Sequence, residues 1–346
     1  MKLLATSDLH GNIHQYKKLL EYIENHKDIE AVFIDGDLAI RRSKLRDAYI
    51  AKIEKEEKRE VTPNEKKEIE SVKVVDMQYN WFVDVFFPLM KNCKIPIYMN
   101  MGNADYRINL ERLREFFAKN KNIADITILE NDKIIPIENI KEELYIYSLS
   151  NVNLSNHRNK DWENVDMKKD IEVITDFYTK NPNTSKIEAQ YIKFNGVTRK
   201  ILLQGLKSKN INEQKILVNE DVSLLPEDTL EVILENFENN VSSDILSKTI
   251  CLMHGPPYDT PLDIIRTREH VGSIALKNFL NKNKPLLSIH GHIHESVLMS
   301  NQFLVDNSDS DRNSISVSIG NDFKSKNFSI VVIDTNDLLN AKRYNI

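Results

Sequence analysis

Short apolar runs that stop abruptly in polar residues and glycine recur along this chain. Lys2–Thr6 is the first, and Ser7–Asn12 after it is polar with one glycine. Ile13, Tyr16, Leu19, Leu20 and Ile23 then fall at helical spacing, which predicts a helix with one buried stripe. Ala31–Ile34 ends in Asp35-Gly36-Asp37, and Ile95–Met99 ends in Asn100-Met101-Gly102-Asn103-Ala104-Asp105. Farther on, Thr249–Met253 runs into His254-Gly255-Pro256-Pro257, and Pro285–Ile289 into His290-Gly291-His292-Ile293-His294. Pro226–Phe237 and Ser273–Leu280 read as helices. The tail alternates short strands (Phe303–Val305, Ile315–Ile319, Phe328–Ile333) with Asn, Asp and Ser turns. Buried strands separated by helices predict an α/β fold whose site lies beyond the C-terminal ends of the strands.

Two segments interrupt this rhythm. Arg41–Asp76 is dense in Lys, Arg and Glu, and Thr62-Pro63-Asn64-Glu65 in its middle reads as a helix start. Thr62 is the N-cap, Pro63 the first helical residue and Glu65 the partner that completes a capping box. A charged helical hairpin is expected, and with 11 basic and 9 acidic residues it is nearly neutral, as a solvated face would be. Ser155–Ser223 is the second insertion. Asn195-Gly196 between Ile187–Phe194 and Val197–Leu203 predicts a tight β-hairpin, and Lys160-Asp161-Trp162-Glu163 reads as a helix start with a packing Trp. The whole, residues 1–346, is expected to be one domain with insertions at about 41–76 and 155–223.

Composition narrows the class. At 346 residues, 41% hydrophobic and 29% charged, the chain is an ordinary globular one. Its net charge of −5 argues against a general nucleic-acid coat. Cys93 and Cys251 sit in apolar runs and read as buried thiols of a reducing compartment. With neither an apolar leader after Met1-Lys2 nor an apolar stretch of membrane-spanning length, a cytoplasmic protein is expected.

Each polar strand end is a weak signal by itself. Together, Asp8, His10, Asp37, Asn103, His254, His292 and His294 all lie just past apolar strands of one α/β pattern. Imidazoles with carboxylate and amide oxygens suit divalent transition metals. Seven such ligands with one shared carboxylate are what a pair of ions about 3.5–4 Å apart requires.

The ordered blocks Asp8-Leu9-His10, Gly36-Asp37, Gly102-Asn103-Ala104-Asp105, His254-Gly255 and Gly291-His292-Ile293-His294 resemble the calcineurin-like metallophosphoesterase superfamily. His254–Thr260, His270–Ser273 and Ser288–Ser296 are similar to the Icc-related phosphoesterases of prokaryotes. The resemblance covers most of the chain in blocks but neither insertion. It implies a four-layer α/β/β/α sandwich of two mixed sheets. It also implies two divalent ions (Mn, Fe, Zn, Ni or Mg, with Mn favoured), Asp8, His10 and His294 on one and Asn103, His254 and His292 on the other, with Asp37 bridging. The implied reaction is hydrolysis of a phosphoric ester by in-line attack of a hydroxide that the two ions share, with Asn103 also orienting the phosphate.

One departure bears on the chemistry. Much of the superfamily has a histidine directly after the Gly-Asn pair, and here that place is Ala104, which cannot donate a proton. Asp105 is expected to buttress a metal-ligand histidine, and His14, one turn after His10, is a candidate replacement acid. A second departure is Ser318-Ile319-Gly320-Asn321, where relatives often have Asn-Pro-Gly-Ser. His270 reads as helix capping or a phosphate contact. Arg41, Arg42, Lys44 and Arg46 are either exposed or in reach of an anionic substrate, and Tyr258 and Asp259 are rim candidates. The leading expectation is a metal-dependent phosphodiesterase acting on a small ester. A phosphomonoesterase, a nuclease of the same superfamily and a non-catalytic interaction module on this fold are the alternatives. A nucleic-acid substrate is open but not favoured, no membrane partner is expected, and the oligomeric state is open.

Overall fold

The apolar runs become the inner strands of two six-stranded sheets in the computed structural model, which describes residues 1–120, 124–138, 140, 142–194, 196–321 and 326–346. The first sheet runs, edge to edge, Asp337–Asn345, Ser329–Asp334, Lys2–Ser7, Ala31–Asp35, Ile97–Asn100 and Ile126–Ile128. The second runs Leu304–Asp306, Ile315–Ser318, Leu287–His290, Thr249–Met253, Tyr145–Leu149 and Lys133–Pro136. Both are mixed, with parallel centres and with antiparallel strands at one edge of the first and at both edges of the second.

Period-two alternation explains the layering. Leu3, Ala5 and Phe33 of the first sheet share one apolar core with Ile146, Ile250, Leu252 and Ile289 of the second. Leu4, Val32 and Ile34 instead join Tyr16, Leu19, Phe82 and Phe86 of the outer helices. Tyr147, Cys251 and Met253 do the same with Leu230, Leu234, Phe237 and Phe279 on the opposite outside. The result is the expected α/β/β/α sandwich. Because the central strands are parallel, Ser7, Asp35, Asn100, Met253 and His290 all end toward one edge, and their polar successors meet there.

The charged segment forms the helix Arg42–Glu57 and then a longer helical run than expected. Thr62 caps it as read: its hydroxyl accepts the Glu65 N–H at 3.3 Å, and its own N–H donates to Glu65 at 2.8 Å. The run passes through π turns at Ile69–Lys73 and Phe82–Phe86 and reaches Met90, well beyond residue 76. Its far end belongs to the core, where Phe82, Phe86 and Phe87 stack edge to face.

In the second segment Gln190–Phe194 and Val197–Ile201 pair antiparallel, with Phe194 opposite Val197 and Gly196 at φ 90°. Asn195 lies outside the described residues. Lys160–Glu163 does not begin a helix; the helix starts at Lys168. The reason is burial. Trp162 is 1% exposed and donates its indole N–H to the Asp105 carbonyl at 2.8 Å, while Lys160 and Glu163 form a wholly buried ion pair. A second hairpin, Gln204–Ile211 with Gln214–Asp221, was not expected. It carries Leu206 and Leu217 into a small core with Leu45, Val74 and Val75 of the charged segment, so the two insertions pack on each other. Cys93 and Cys251 are buried free thiols. Among the described residues, no helix is long and apolar enough to cross a membrane.

Candidate metal centre

The strand ends turn sharply. Asp8, His10, Asp37 and His292 adopt φ values of 57°, 44°, 49° and 64°, in the left-handed region that non-glycine residues seldom occupy. Strain of this kind collects at functional sites and persists only where surrounding bonds enforce it. Those bonds are present: Asp8 N–H donates to the Gly36 carbonyl at 3.1 Å and His10 N–H to the Asp37 carbonyl at 2.8 Å, zipping two loops together.

Three glycines make the approach possible. A Cβ on Gly102 would overlap the backbone nitrogen and carboxylate of Asp37 and lie 2.7 Å from His254 Nε2. On Gly36 it would lie 2.5 Å from His254 Nδ1, and on Gly291 2.6 Å from the Asp8 carboxylate. Each of these three glycines is therefore the space that a neighbouring donor needs.

The seven expected ligands all come together, in two groups. In the first, Asp8, His10, Asp37 and His294 bring donor atoms that all lie within 4.8 Å of one another. His294 Nε2 is 3.3 Å from Asp8 Oδ1 and 3.2 Å from His10 Nε2. In the second, Asn103 Oδ1 lies 3.2 Å from His254 Nε2 and 2.9 Å from His292 Nδ1. Asp37 stands between them: Oδ2 is 3.4 Å from His10 Nε2, and Oδ1 is 3.5 Å from His254 Nε2. Side-chain nitrogens of two histidines meeting head-on, with carboxylates beside them, is the donor set of a cation site, so these residues fit the two ions that the chemistry asks for.

Electrostatics agree with that use at His10, His292, Asp8 and Asp37, whereas His254 holds a proton that an ion would have to displace. Burial holds His10 down to about 3, with the Arg41 charge adding to the effect, and holds His292 down to about 3, with His254 adding. Both therefore keep their lone pairs at neutral pH. Burial opposes the ionisation of Asp8 and Asp37, yet facing histidines outweigh it and hold both carboxyls below the usual range. His254 is buried, but Asp37, Asp8 and Asp35 outweigh that and raise it to about 10. Its Nδ1 is fixed by the Asp35 carbonyl at 3.1 Å, which aims Nε2 inward.

Other expectations are corrected. Asp105 is buried and raised to about 7, by burial first and then by Asp37. It buttresses no histidine among the described residues. Its carboxylate accepts the N–H groups of Leu38, Ala39 and Gly102, each at 3.0 Å, and so ties the Asp37 loop to the Asn103 loop. His14 is exposed and outside the cleft, because the Asn12 cap starts its helix with Gln15 and Tyr16 as the buried positions. His270 pairs with Asp263 at 2.6 Å. Asp259 pairs with Lys277 at 3.1 Å, and neither it nor Tyr258 lines the cleft. The turn at Gly320 forms without proline, at φ 56°, and Asn321 donates to the Ser7 carbonyl at 3.0 Å beneath Asp8.

Sequence reasoning offered Arg41 and Arg42 as within reach of an anionic substrate and left the rest of the cleft's outer wall unassigned. The cleft is about 570 Å³ and opens onto the donors. Arg41 and Arg42 from the first insertion and His157, Arg158 and Asn159 from the second line it. Arg41 Nη2 is 2.8 Å from His10 Nε2. Asn159, bonded to Arg42 at 3.2 Å, has no motif that could have announced it.

Fold and site together define a metal-dependent hydrolase of phosphate esters. The chain belongs to the calcineurin-like phosphoesterase family, whose sequence model matches residues 1–198. The family depends on two metal ions, and the Asp/His cluster described above could bind metal. Similar solved structures include TT1561 of Thermus thermophilus, at 11% identity and TM-score 0.47 over 99% of this chain and 98% of that one. A novel archaeal phosphodiesterase is similar at 12% and 0.35 over all of both chains. Phosphopantetheinyl hydrolase of Mycobacterium tuberculosis is similar at 12% and 0.41 over 92% of this chain and 89% of that one. A comparison with curated proteins gives no match.

Proposed function

We propose that this protein is a binuclear metal-dependent phosphodiesterase acting on small esters, built as one domain with two insertions that reach its cleft. The observation that carries the reading is Asp37, whose two carboxylate oxygens face different histidines at 3.4 and 3.5 Å, as a bridging ligand would. Asp8, His10 and His294 would hold one ion and Asn103, His254 and His292 the other, with Mn²⁺ favoured. Bound there, the ions supply Lewis acidity toward the phosphoryl oxygens and a water acidic enough to attack near neutral pH.

The chain's own residues do the rest. The Ala104 N–H fixes Asp37 Oδ1 at 2.7 Å, and Ser7 holds the Asp8 carboxylate at 2.5 Å, so neither ligand must reorganise on binding. The Asn103 amide presents its oxygen to the second donor group and leaves its N–H₂ to orient a phosphate. Arg41 lies beside His10, where charge on a bound phosphoryl group would be balanced. At Ala104 a methyl group stands where no proton can be given to a leaving group. General-acid help is typically worth about 10²–10⁴-fold, and its absence from that place favours diesters or activated leaving groups. No Phe, Tyr or Trp lines the cleft among the described residues, so bases would find no large aromatic platform there, which disfavours nucleic acid.

The test is hydrolysis of bis(p-nitrophenyl) phosphate against p-nitrophenyl phosphate by metal-stripped protein reloaded with Mn²⁺, Zn²⁺, Ni²⁺ or Mg²⁺, beside Asp37→Ala. Metal-dependent diester cleavage lost in the variant is expected. Faster monoester cleavage would sink the diester assignment. A protein that holds no metal and turns over nothing would sink the reading as a whole.

A further inference from the structure

The wall of the cleft opposite the ligands is made by a short loop, 155–160, of the second insertion. It presents His157 and Arg158, both exposed, and among the described residues neither side chain makes a hydrogen bond or ion pair. Exposed arginines are often merely solvated, and what sets this one apart is how firmly its backbone is held. Leu206 N–H donates to the Arg158 carbonyl at 2.6 Å, and Lys160 N–H donates to the Leu206 carbonyl at 2.8 Å. A Cβ on Gly205 would overlap that same Arg158 carbonyl, so the strand beneath approaches as closely as glycine allows. Lys160, buried against Glu163, donates to the Ser155 carbonyl at 2.9 Å, and Glu163 accepts the Ser155 N–H at 2.9 Å, closing the loop from both ends. Asn159 then ties it to the site: it accepts from Arg42 at 3.2 Å and donates to the Asn103 carbonyl at 3.5 Å.

The charges around this loop are unbalanced. Arg42 is paired with Glu70 at 3.2 Å. Burial lowers its pKa, and the nearby Arg158 charge adds to the effect. Besides Asp37, which faces the metal site, Glu295 is the one carboxylate among the described lining residues, against Arg41, Arg158 and the already paired Arg42. A cleft of about 570 Å³ lies in the range of sites that hold whole small molecules, more than a single phosphate would fill.

We propose that Arg158, with Arg42 behind it, receives a second anionic group of the substrate, so that the substrate class is a phosphate ester carrying a further phosphate or comparable anion. The inference rests on the phosphoesterase reading above for the position of the first phosphate. Guanidinium is the group suited to such recognition, because its planar donors match a phosphate's oxygens in pairs. A clamped loop lets it act without first losing freedom.

The test is calorimetric titration of the Mn²⁺-loaded protein with propane-1,3-diphosphonate and with propylphosphonate, neither of which can be hydrolysed. The wild type is expected to bind the diphosphonate at least tenfold more tightly. In Arg158→Gln the preference should shrink to threefold or less, and Arg158→Lys, which keeps the charge but not the fork, should fall between. Equal binding of the two ligands by the wild type, or binding of neither, overturns the proposal. So does a preference that survives in Arg158→Gln, since the second phosphonate would then be reaching metal instead. Turnover of bis(p-nitrophenyl) phosphate, read on the same wild-type sample, separates the two claims. Preference without turnover sinks the diesterase and keeps the anion site, and turnover without preference does the reverse.

Discussion

Replacing Gly102 by alanine adds one methyl group at the glycine with the tightest surroundings, hard against the Asp37 backbone nitrogen. Gly102 has no left-handed φ, so the penalty is steric. The added Cβ overlaps Asp37 and lies 2.7 Å from His254 Nε2, where ordinary contact begins at 3.4 Å. The difference, 3.4 minus 2.7, means that His254 must retreat by about 0.7 Å, and Asp37 by more. Both sit in a packed interior, and overpacking of this kind costs about 1–3 kcal/mol. A displacement near 1 Å at reacting groups typically lowers rate by about 10²-fold. Gly102→Ala is therefore expected to fold, to lose at least one of two ions by elemental analysis, and to cleave bis(p-nitrophenyl) phosphate about a hundredfold more slowly. Gly255→Ala is the control. It adjoins His254 in sequence, but its Cβ would meet Val152 and Leu276 at 3.4 and 3.5 Å, which is ordinary contact. It should keep its metal and most of its rate. Full metal content with a rate within threefold of wild type in Gly102→Ala, or an equal loss in Gly255→Ala, would refute the reasoning.

Lys160→Met removes one partner of an ion pair whose side chains are both 0% exposed. A buried charge left alone costs about 3–5 kcal/mol, and the thermal midpoint should fall by roughly 6–10 °C at about 2 °C per kcal/mol for a chain of this size. Adding Glu163→Leu should restore more than half, and a single-variant loss below about 1 kcal/mol by denaturant titration would count against the clamp. His290 is buried with Nδ1 against the carbonyls of Met253 and Gly255 at 2.9 and 2.8 Å, and burial holds it down to about 4. Unfolded, it takes a proton below its ordinary value near 6.5, so the unfolded state binds more protons and stability is lost as pH falls from 6.5 to about 4. The span is worth about 3 kcal/mol. Urea midpoints of the metal-free protein should therefore drop less steeply across that window in His290→Asn than in the wild type. An unchanged slope would show that His290 is not the group responsible. Metal removal should itself destabilise: at a metal concentration about 100 times Kd, each site contributes about 2.7 kcal/mol, visible as a midpoint that rises with added Mn²⁺.

The inner strands and the candidate ligands were legible because both follow from local pattern. A buried parallel strand is a run of apolar residues, and a site at its end is a polar residue after that run. The capping box at Thr62 was legible for the same reason. What escaped is what pairs across distance. The hairpin Gln204–Asp221 turns through Asn212 and Glu213, both with positive φ (48° and 68°), and lacks the glycine that advertises such turns. The final strand, Asp337–Asn345, is an exposed edge with little apolar alternation to betray it. Asp105 was expected to serve a histidine. Its three N–H donors lie at residues 38, 39 and 102, a convergence no spacing reveals. His14 looked close to His10 in sequence, yet the intervening left-handed turn sends the chain into a helix whose solvent side it occupies.

The insertions carry the same lesson into function. Read separately, the first is a solvated charged hairpin with arginines that could reach an anion and the second a small β elaboration, neither with a motif. In space they share a core of Leu45, Val74, Val75, Leu206 and Leu217. They also meet again at the cleft, where Arg42 of one bonds Asn159 of the other. A metal site can catalyse only what its surroundings admit, since remote binding contacts decide which substrate reaches the reacting geometry. Here the candidate ligands come from strand ends of the sandwich, and the opposite wall comes from the two insertions locked together. Loosening their shared core, as Leu206→Ala would do, should therefore weaken anion selectivity at the cleft before it disturbs metal content. The reverse order would mean that the insertions brace the metal site and do not choose its substrate.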